Sequence, residues 1–320
     1  MTRKPAVAMM RIAIAGGGGF AALLARALSG SGHALLVLSR TAHPEFEANY
    51  DCQVAIVDYH NPESLRFTLE GVDLVISTIP GVEQLNLIDA SRKARVRTFV
   101  PSEFEGALGH RPPENDPFDN GSSTALGQLR QWSTSRQYPM RYTVFSCGVF
   151  YERFAPGGLG ALDMGGNIRL PNQGDYMIDV GSGRAEIPSG NAQGREVQIT
   201  MTSAFDVARF VAAAIELGTE NWPREFKMRG ARATPRRIQQ VCSEVRQIEF
   251  EVTERPYSEL VEWFNYYRQN NDEDGCFAMQ HFLQTVDGRY TFGEANLNGL
   301  VNFEPVGFTQ WLQNTWGPAQ

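Results

Sequence analysis

In the first half of the chain, apolar residues gather in short continuous runs, and the segments between them repeat their apolar positions at helical spacing. Arg11-Ile-Ala-Ile-Ala15 predicts a strand, a glycine turn follows, and Phe20 to Leu28 predicts a helix. Further strands are predicted over His33 to Leu38, Gln53 to Val57, Asp73 to Ser77, Arg97 to Val100 and Arg141 to Phe145. Helices are predicted over Asn61 to Leu69, with Pro62 in the first turn, over Gln84 to Ala94, and over Thr124 to Arg136. Runs that stay apolar instead of alternating suit parallel strands covered on both faces. The βα alternation therefore implies a mostly parallel sheet wound on both sides, with ligands at the carboxyl ends of its strands.

Beyond Phe150 the pattern breaks at Pro156-Gly-Gly, Gly165-Gly166, Gly181-Ser-Gly183 and Ser189-Gly190. Helices are still predicted over Ser203 to Leu217 and over Pro235 to Glu244, the latter with Thr234 as N-cap. The aromatic-rich span Tyr257 to Phe282 adds helix, and Phe308 to Trp316 a last one. These patterns divide the chain into a first domain over residues 1–155 and a smaller α+β lobe over 156–320, interleaved with the first.

The turn after the first strand carries the chemistry. Gly16 and Gly19 with Ala22 match G-x-x-G-x-x-A, in which small residues allow a tight turn and close approach of backbone N–H groups to a pyrophosphate. The helix N-terminus then offers its N–H donors and the positive end of its dipole. Taken alone, the motif also fits a glycine-rich surface turn. Arg40 closes the second strand about 20 residues later, where a carboxylate would bind the ribose hydroxyls of NAD and an arginine accommodates a 2′-phosphate. The expected fold is thus a Rossmann-type sheet, and the expected cofactor NADP(H). Asp58 and Tyr59 end the third strand, placed to flank the adenine; Asp58 as a cap of the next turn is the other reading.

Composition narrows the partners. A net charge of -7 speaks against nucleic acid, which needs a clustered positive surface. No apolar stretch reaches the ~18 residues of a membrane span, and Arg11 interrupts the weakly signal-like opening, so a soluble cytoplasmic protein is expected. Cys52, Cys147, Cys242 and Cys276 lack metal-ligand spacing and the five histidines form no H-x-x-x-H pair, so reduced thiols and no metal site are expected.

Four stretches stand together: the Gly16 to Ala22 turn, Arg40, Gln84 with Leu87-Ile-Asp-Ala90, and Arg97-Thr-Phe-Val-Pro-Ser-Glu-Phe104. The last resembles the K-R-F-x-P-S-E-F segment of the NmrA-like and isoflavone-reductase-like family, an atypical branch of the short-chain dehydrogenases in which NADP(H) is the usual cofactor. Thr143 to Phe150, Ser203 to Leu217 and Phe308 to Leu312 also fit, so the resemblance covers nearly the whole chain. It implies that Gly16, Gly18, Gly19, Phe20 and Ala21 hold the pyrophosphate and that Ser39 and Arg40 face the 2′-phosphate. Thr78, Ile79 and Pro80 would lie beside the ribose, and Gln84, Ser102 and Glu103 at the approach to the nicotinamide. Ser102 and Glu103 as caps of the following turn are the alternative.

The resemblance also implies a lysine, in the helix before the sixth strand, that polarises or protonates the substrate oxygen. That position falls near Gln128, and the chain contains only Lys4, Lys93 and Lys227. Arg130 is cationic, but a pKa above ~12 makes it a poor proton donor. The remaining candidates for proton delivery are Glu103, His110, Tyr151 and water. His110-Arg-Pro-Pro-Glu-Asn-Asp-Pro117 is either a lid or an exposed connector, and His281, Asp116 and Asp119 lie in segments expected to border the pocket.

Three functions fit. The first is an NADPH-dependent reductase of a bulky, partly aromatic or alkaloid-like molecule at C=N, C=C or C=O. The second is a cofactor-retaining cyclase or isomerase without net redox, lined by Tyr176, Trp263, Phe264, Tyr266, Tyr267, Phe277 and Phe282, residues of a kind more often core than ligand box. The third is a dinucleotide-sensing regulator of NmrA type with a protein partner. Reduction leads, with a small-molecule substrate, no nucleic acid or membrane partner, and a homodimer allowed.

Overall fold

The computed structural model describes residues 9–111, 116, 119–166 and 170–317. Six strands form one parallel sheet: β1 (Arg11–Ala15), β2 (Ala34–Ser39), β3 (Cys52–Ile56), β4 (Leu74–Ser77), β5 (Thr98–Val100) and β6 (Arg141–Tyr142). Their order is β3-β2-β1-β4-β5-β6. The chain winds outward from β1 to β3 and then returns to place β4 on the other side of β1, which opens a crevice at the strand carboxyl ends. In β1, Ile12 pairs with Leu35 on one side and Leu74 on the other. Ile12, Ala13, Ile14 and Ala15 are fully buried, as a central strand covered on both faces requires.

The helices are α1 (Gly19–Leu28), α2 (Pro44–Tyr50), α3 (Pro62–Thr68), α4 (Gly81–Lys93) and α5 (Ser122–Ser133). Helix α1 buries Phe20, Ala21, Leu24, Ala25 and Leu28, one stripe at helical spacing. Helix α2 has no counterpart in the periodicity, because Phe46 is its one buried residue. Helices α4 and α5 begin at Gly81 and Ser122, ahead of the predicted Gln84 and Thr124. The sixth strand stops at Tyr142; a separate strand, Val144–Ser146, follows, and the Val144 N–H donates to the Arg224 carbonyl instead.

The described residues fall into two compact units, one made of those within 1–104, 113–145 and 208–226, the other of those within 105–112, 146–207 and 227–320. Both are discontinuous in sequence; the sequence pattern set a boundary at 155 with the second lobe interleaved with the first. The remaining helices are α6 (Ala204–Ile215), α7 (Pro235–Arg246), α8 (Tyr257–Gln269), α9 (Glu273–Val286) and α10 (Phe308–Trp316). In the second unit, Arg184–Pro188 lies between Glu251–Arg255 and Ile178–Asp179, and Ile199–Thr202 between Ala231–Ala233 and Val149–Phe150. Its core gathers Tyr151, Phe154, Tyr176, Ile238, Leu260 and Phe308. The predicted helical span from Tyr257 breaks at Asn271, whose φ is 53°, and the Asp272 carboxylate then accepts the Gly275 N–H to start α9.

Cys147 and Cys242 are buried, Cys52 and Cys276 half-buried, and all four are free thiols. Burial pushes the Cys242 thiol up to about 12 and raises that of Cys147 as well. Among the described residues no helix is long and apolar enough to cross a membrane, and no group of three His, Cys, Asp or Glu is placed to hold a metal.

Candidate functional site

The glycine turn is a surface from which side chains are excluded. Gly16 has φ +120°, and a Cβ there would lie 2.2 Å from Thr78 Oγ1. The Thr78 hydroxyl and N–H both donate to the Ala15 carbonyl at 2.8 Å, so Thr78 cannot move aside without breaking the β1–β4 junction. A Cβ on Gly17 would meet His43 Nε2 at 2.4 Å and Ser39 Oγ at 2.8 Å. Gly18 is the N-cap of α1 and supplies no side-chain cap, and the first turn holds no acidic residue. A helix start built this way suits an anionic ligand approached by backbone.

At the end of β2, Ser39 is buried and its Oγ accepts from the Thr41 N–H at 3.3 Å. Arg40 is exposed and holds no ion pair among the described residues. His43, which sequence reasoning missed, directs Nε2 to Thr41 Oγ1 at 3.2 Å while Nδ1 lies 2.7 Å from Glu45 Oε1. Its only sequence signal was its place in the loop leaving β2. Asp58 accepts from the His60 N–H at 2.9 Å, the capping reading. Tyr59 is 3% exposed and its hydroxyl donates to the Leu38 carbonyl at 2.8 Å, tying the exit of β3 to β2.

The carboxyl ends of β4 and β5 carry a second constellation. After Pro80, Gly81 turns with φ +76° into α4. The buried Gln84 Oε1 accepts the Ser102 N–H at 2.6 Å, fixing the turn after β5. Glu103, 3% exposed, accepts the Ser122 hydroxyl at 2.6 Å, so its side chain spans to α5. Asn120 and Gly121, both at positive φ, turn the chain into α5, where Asp119 Oδ1 accepts the Ser123 N–H at 2.9 Å. A Cβ on Gly121 would lie 3.5 Å from Gly81 Cα, so the start of α5 sits against the start of α4. Phe104 packs edge-on to Phe20 at 4.7 Å between ring centres, joining this segment to α1.

Ser122 is thus a polar neighbour of Glu103 that sequence reasoning missed; its signal was the Gly-Ser-Ser-Thr run before the predicted helix. Gln128 is half-buried farther along α5, and Arg130 is exposed. His110 and Tyr151 belong to the second unit. Tyr151 is fully buried beside Phe308 and Trp311, and its hydroxyl donates to the Val306 carbonyl at 3.2 Å, so it is a core residue there. His110 is exposed and its Nδ1 bonds the Gly288 carbonyl at 2.8 Å. Of the predicted lid over 110–117, residues 112–115 and 117 lie outside the described residues.

Also in the second unit, His281 packs against Tyr176 at 4.6 Å, and burial holds its imidazole well below the usual range. The predicted aromatic box divides: Tyr176 and Phe282 are core, whereas Trp263 and Tyr266 are exposed on α8. Glu105, also overlooked in the sequence, binds Arg111 and accepts from Arg289 Nε at 2.8 Å. Burial alone would raise its carboxyl; the two guanidiniums outweigh that and hold it below the usual range.

Comparisons with known proteins find relatives by sequence and neighbours by fold. Oxidoreductase swnR of Metarhizium robertsii is 28% identical over 231 residues, covering 70% of each chain. Isoflavone reductase homolog A622 of Nicotiana glauca is 30% identical over 168 residues, 48% of this chain and 52% of that one. The leucoanthocyanidin reductase of Vitis vinifera, solved as a binary complex with NADPH, superposes with a TM-score of 0.66 at 14% identity, over 96% of this chain and 99% of that one. The family model of the NmrA-like family matches residues 9–271, more than four-fifths of the chain, and the protein belongs to that family.

Proposed function

We propose that the protein is an NADP(H)-dependent reductase of a small molecule bearing a polarised C=O, C=N or C=C bond. The observation that carries this reading is the side-chain-free turn at Gly16 to Gly18 with the exposed Arg40 beyond it. The turn lets N–H groups reach a pyrophosphate, and Arg40 offers a planar, permanently charged partner for the 2′-phosphate. Ser39, Thr41 and His43 edge the same loop. Pro80, Gly81, Gln84 and Ser102 form the wall at which the nicotinamide would rest, with Gln84 holding the Ser102 backbone in place. NADPH, when bound, supplies the hydride; the chain supplies orientation and a proton. The names of the swnR and A622 relatives support redox chemistry over a purely sensory role.

Fluorescence titration of the purified protein with NADPH and NADH tests the cofactor. Arg40→Ala is expected to weaken NADPH binding about 10- to 100-fold, the scale of a charge-assisted hydrogen bond, and to leave NADH binding unchanged. Equal loss for both cofactors, or no preference for NADPH in the unaltered protein, would sink this assignment. Loss of NADPH absorbance with a cyclic imine or an enone then tests the reaction.

A further inference from the structure

The imidazole of His43 lies directly on the glycine turn. Its Nε2 is 2.4 Å from where a Cβ of Gly17 would stand, and Ser39 Oγ is 2.8 Å from the same point, so two polar atoms converge where Gly17 has no side chain. Ser39 Oγ accepts the Thr41 N–H at 3.3 Å and keeps its own proton to donate. The His43 side chain is 21% exposed, so the ring is seated on the turn and still reached by solvent.

The partners of the two ring nitrogens define what each can do. Glu45 Oε1 lies 2.7 Å from Nδ1, and a carboxylate only accepts, so Nδ1 carries a proton. Its own N–H first and the His43 ring second hold the Glu45 carboxyl below the usual range, which keeps it ionised at neutral pH. Nε2 lies 3.2 Å from Thr41 Oγ1, a hydroxyl that donates to a neutral ring and accepts from a charged one. The ring therefore keeps its seat through titration, and protonation adds a charge and an N–H at Nε2, the nitrogen over the turn. Phe46 packs edge-on to the ring at 5.4 Å and carries no charge. Glu45 is the charged group bonded to the ring, and Arg40 stands exposed in the same loop.

We propose that His43 is a specificity-determining residue for the cofactor: its protonated Nε2 joins Arg40 in binding the 2′-phosphate of NADPH, and Glu45 is the positioning residue that aims the ring at the turn. This rests on the NADP(H) reading above and adds a pH dependence to it. Histidine changes charge between about pH 5 and 8. Its contribution to the preference for NADPH over NADH is therefore present in mild acid and lost as pH rises, leaving the part that the permanently charged Arg40 supplies. A phosphate monoester takes up its second proton at about pH 6, which weakens phosphate binding in acid. That effect has the opposite sign and is common to every variant, so comparing parent and variant at each pH removes it.

Fluorescence titrations with NADPH and NADH between about pH 5.5 and 8.5 test the assignment on the unaltered protein, His43→Gln, His43→Lys and Glu45→Gln. In acid, His43→Gln is expected to lower the NADPH preference about 10-fold, the scale of one charge-assisted hydrogen bond, and at the alkaline end to match the parent. His43→Lys should keep at the alkaline end the preference that the parent loses there. Glu45→Gln should move the parent's decline to lower pH. A His43→Gln loss equal at every pH and for both cofactors is what simple packing against Gly17 would give, and it would overturn the assignment.

A second measurement uses the unaltered protein. The His43 imidazole resonances, assigned by their absence in His43→Gln, are followed by NMR against pH with 2′,5′-ADP or 5′-AMP bound. The first ligand is expected to raise the titration midpoint by about one pH unit, as a neighbouring opposite charge does, and the second to leave it in place. The same midpoint with both ligands refutes the contact. Equal affinity for NADPH and NADH at every pH in the unaltered protein instead counts against the 2′-phosphate reading of Arg40 and takes this inference with it, whereas an NADPH preference that His43→Gln leaves intact at every pH overturns this inference alone.

Discussion

Gly16 shows how far a single residue can be read from local sequence. Its φ of +120° and the 2.2 Å approach of Thr78 Oγ1 leave no room for a Cβ, and strand-glycine-helix order alone marked it. Gly16→Ala is expected to destabilise the fold by about 1–3 kcal/mol, the cost of a strained backbone, seen as a lower urea midpoint with unchanged slope. Glu105 was not legible in the same way, because its partner Arg289 is 184 positions away and no periodicity links them. Its carboxyl is held low in the fold, so its stabilisation is complete above the unfolded value near 4.5 and is lost as pH falls through the lower folded value. Glu105→Gln is therefore expected to cost about 2–4 kcal/mol at pH 7, since it strands two guanidiniums. In urea unfolding, the gap between variant and parent should close in acid; a gap that widened there would contradict the sign.

At the scale of elements, legibility followed burial. Strands β1 and β4 and helix α1 were plain, because each buries a dense run or stripe. Leu24→Ala in that stripe should cost about 2–5 kcal/mol, measured by chemical unfolding, while substitution of the exposed Arg26 should cost little. Helix α2 was invisible with one buried side chain, and the break at Asn271 depends on a left-handed backbone that periodicity does not encode. The start of α5 was misplaced by two residues for a related reason. Polar Ser122 and Ser123 carry no apolar signal, and the contacts that fix them, to Glu103 and Asp119, are side-chain bonds.

For the whole molecule, winding order was legible because parallel strands with helical crossovers permit few topologies. An interleaved second lobe was expected, but not which segments each unit takes, since that depends on which distant segments pack together. Every candidate cofactor contact falls in the first unit. Saturating NADPH is therefore expected to slow amide hydrogen exchange around Gly16 to Ala22, Ser39 to His43 and Thr78 to Gln84; protection confined to α7 to α10 would place the ligand elsewhere. The thiols offer a reporter of a different kind. Cys242 is sealed in α7 with its thiol pushed up to about 12, and Cys147 is buried as well, whereas Cys52 and Cys276 are partly open. A thiol reagent at neutral pH should thus label in two waves. The late wave would clock the opening of the second unit's interior, residue by residue, in a protein that needs no engineered label to be followed.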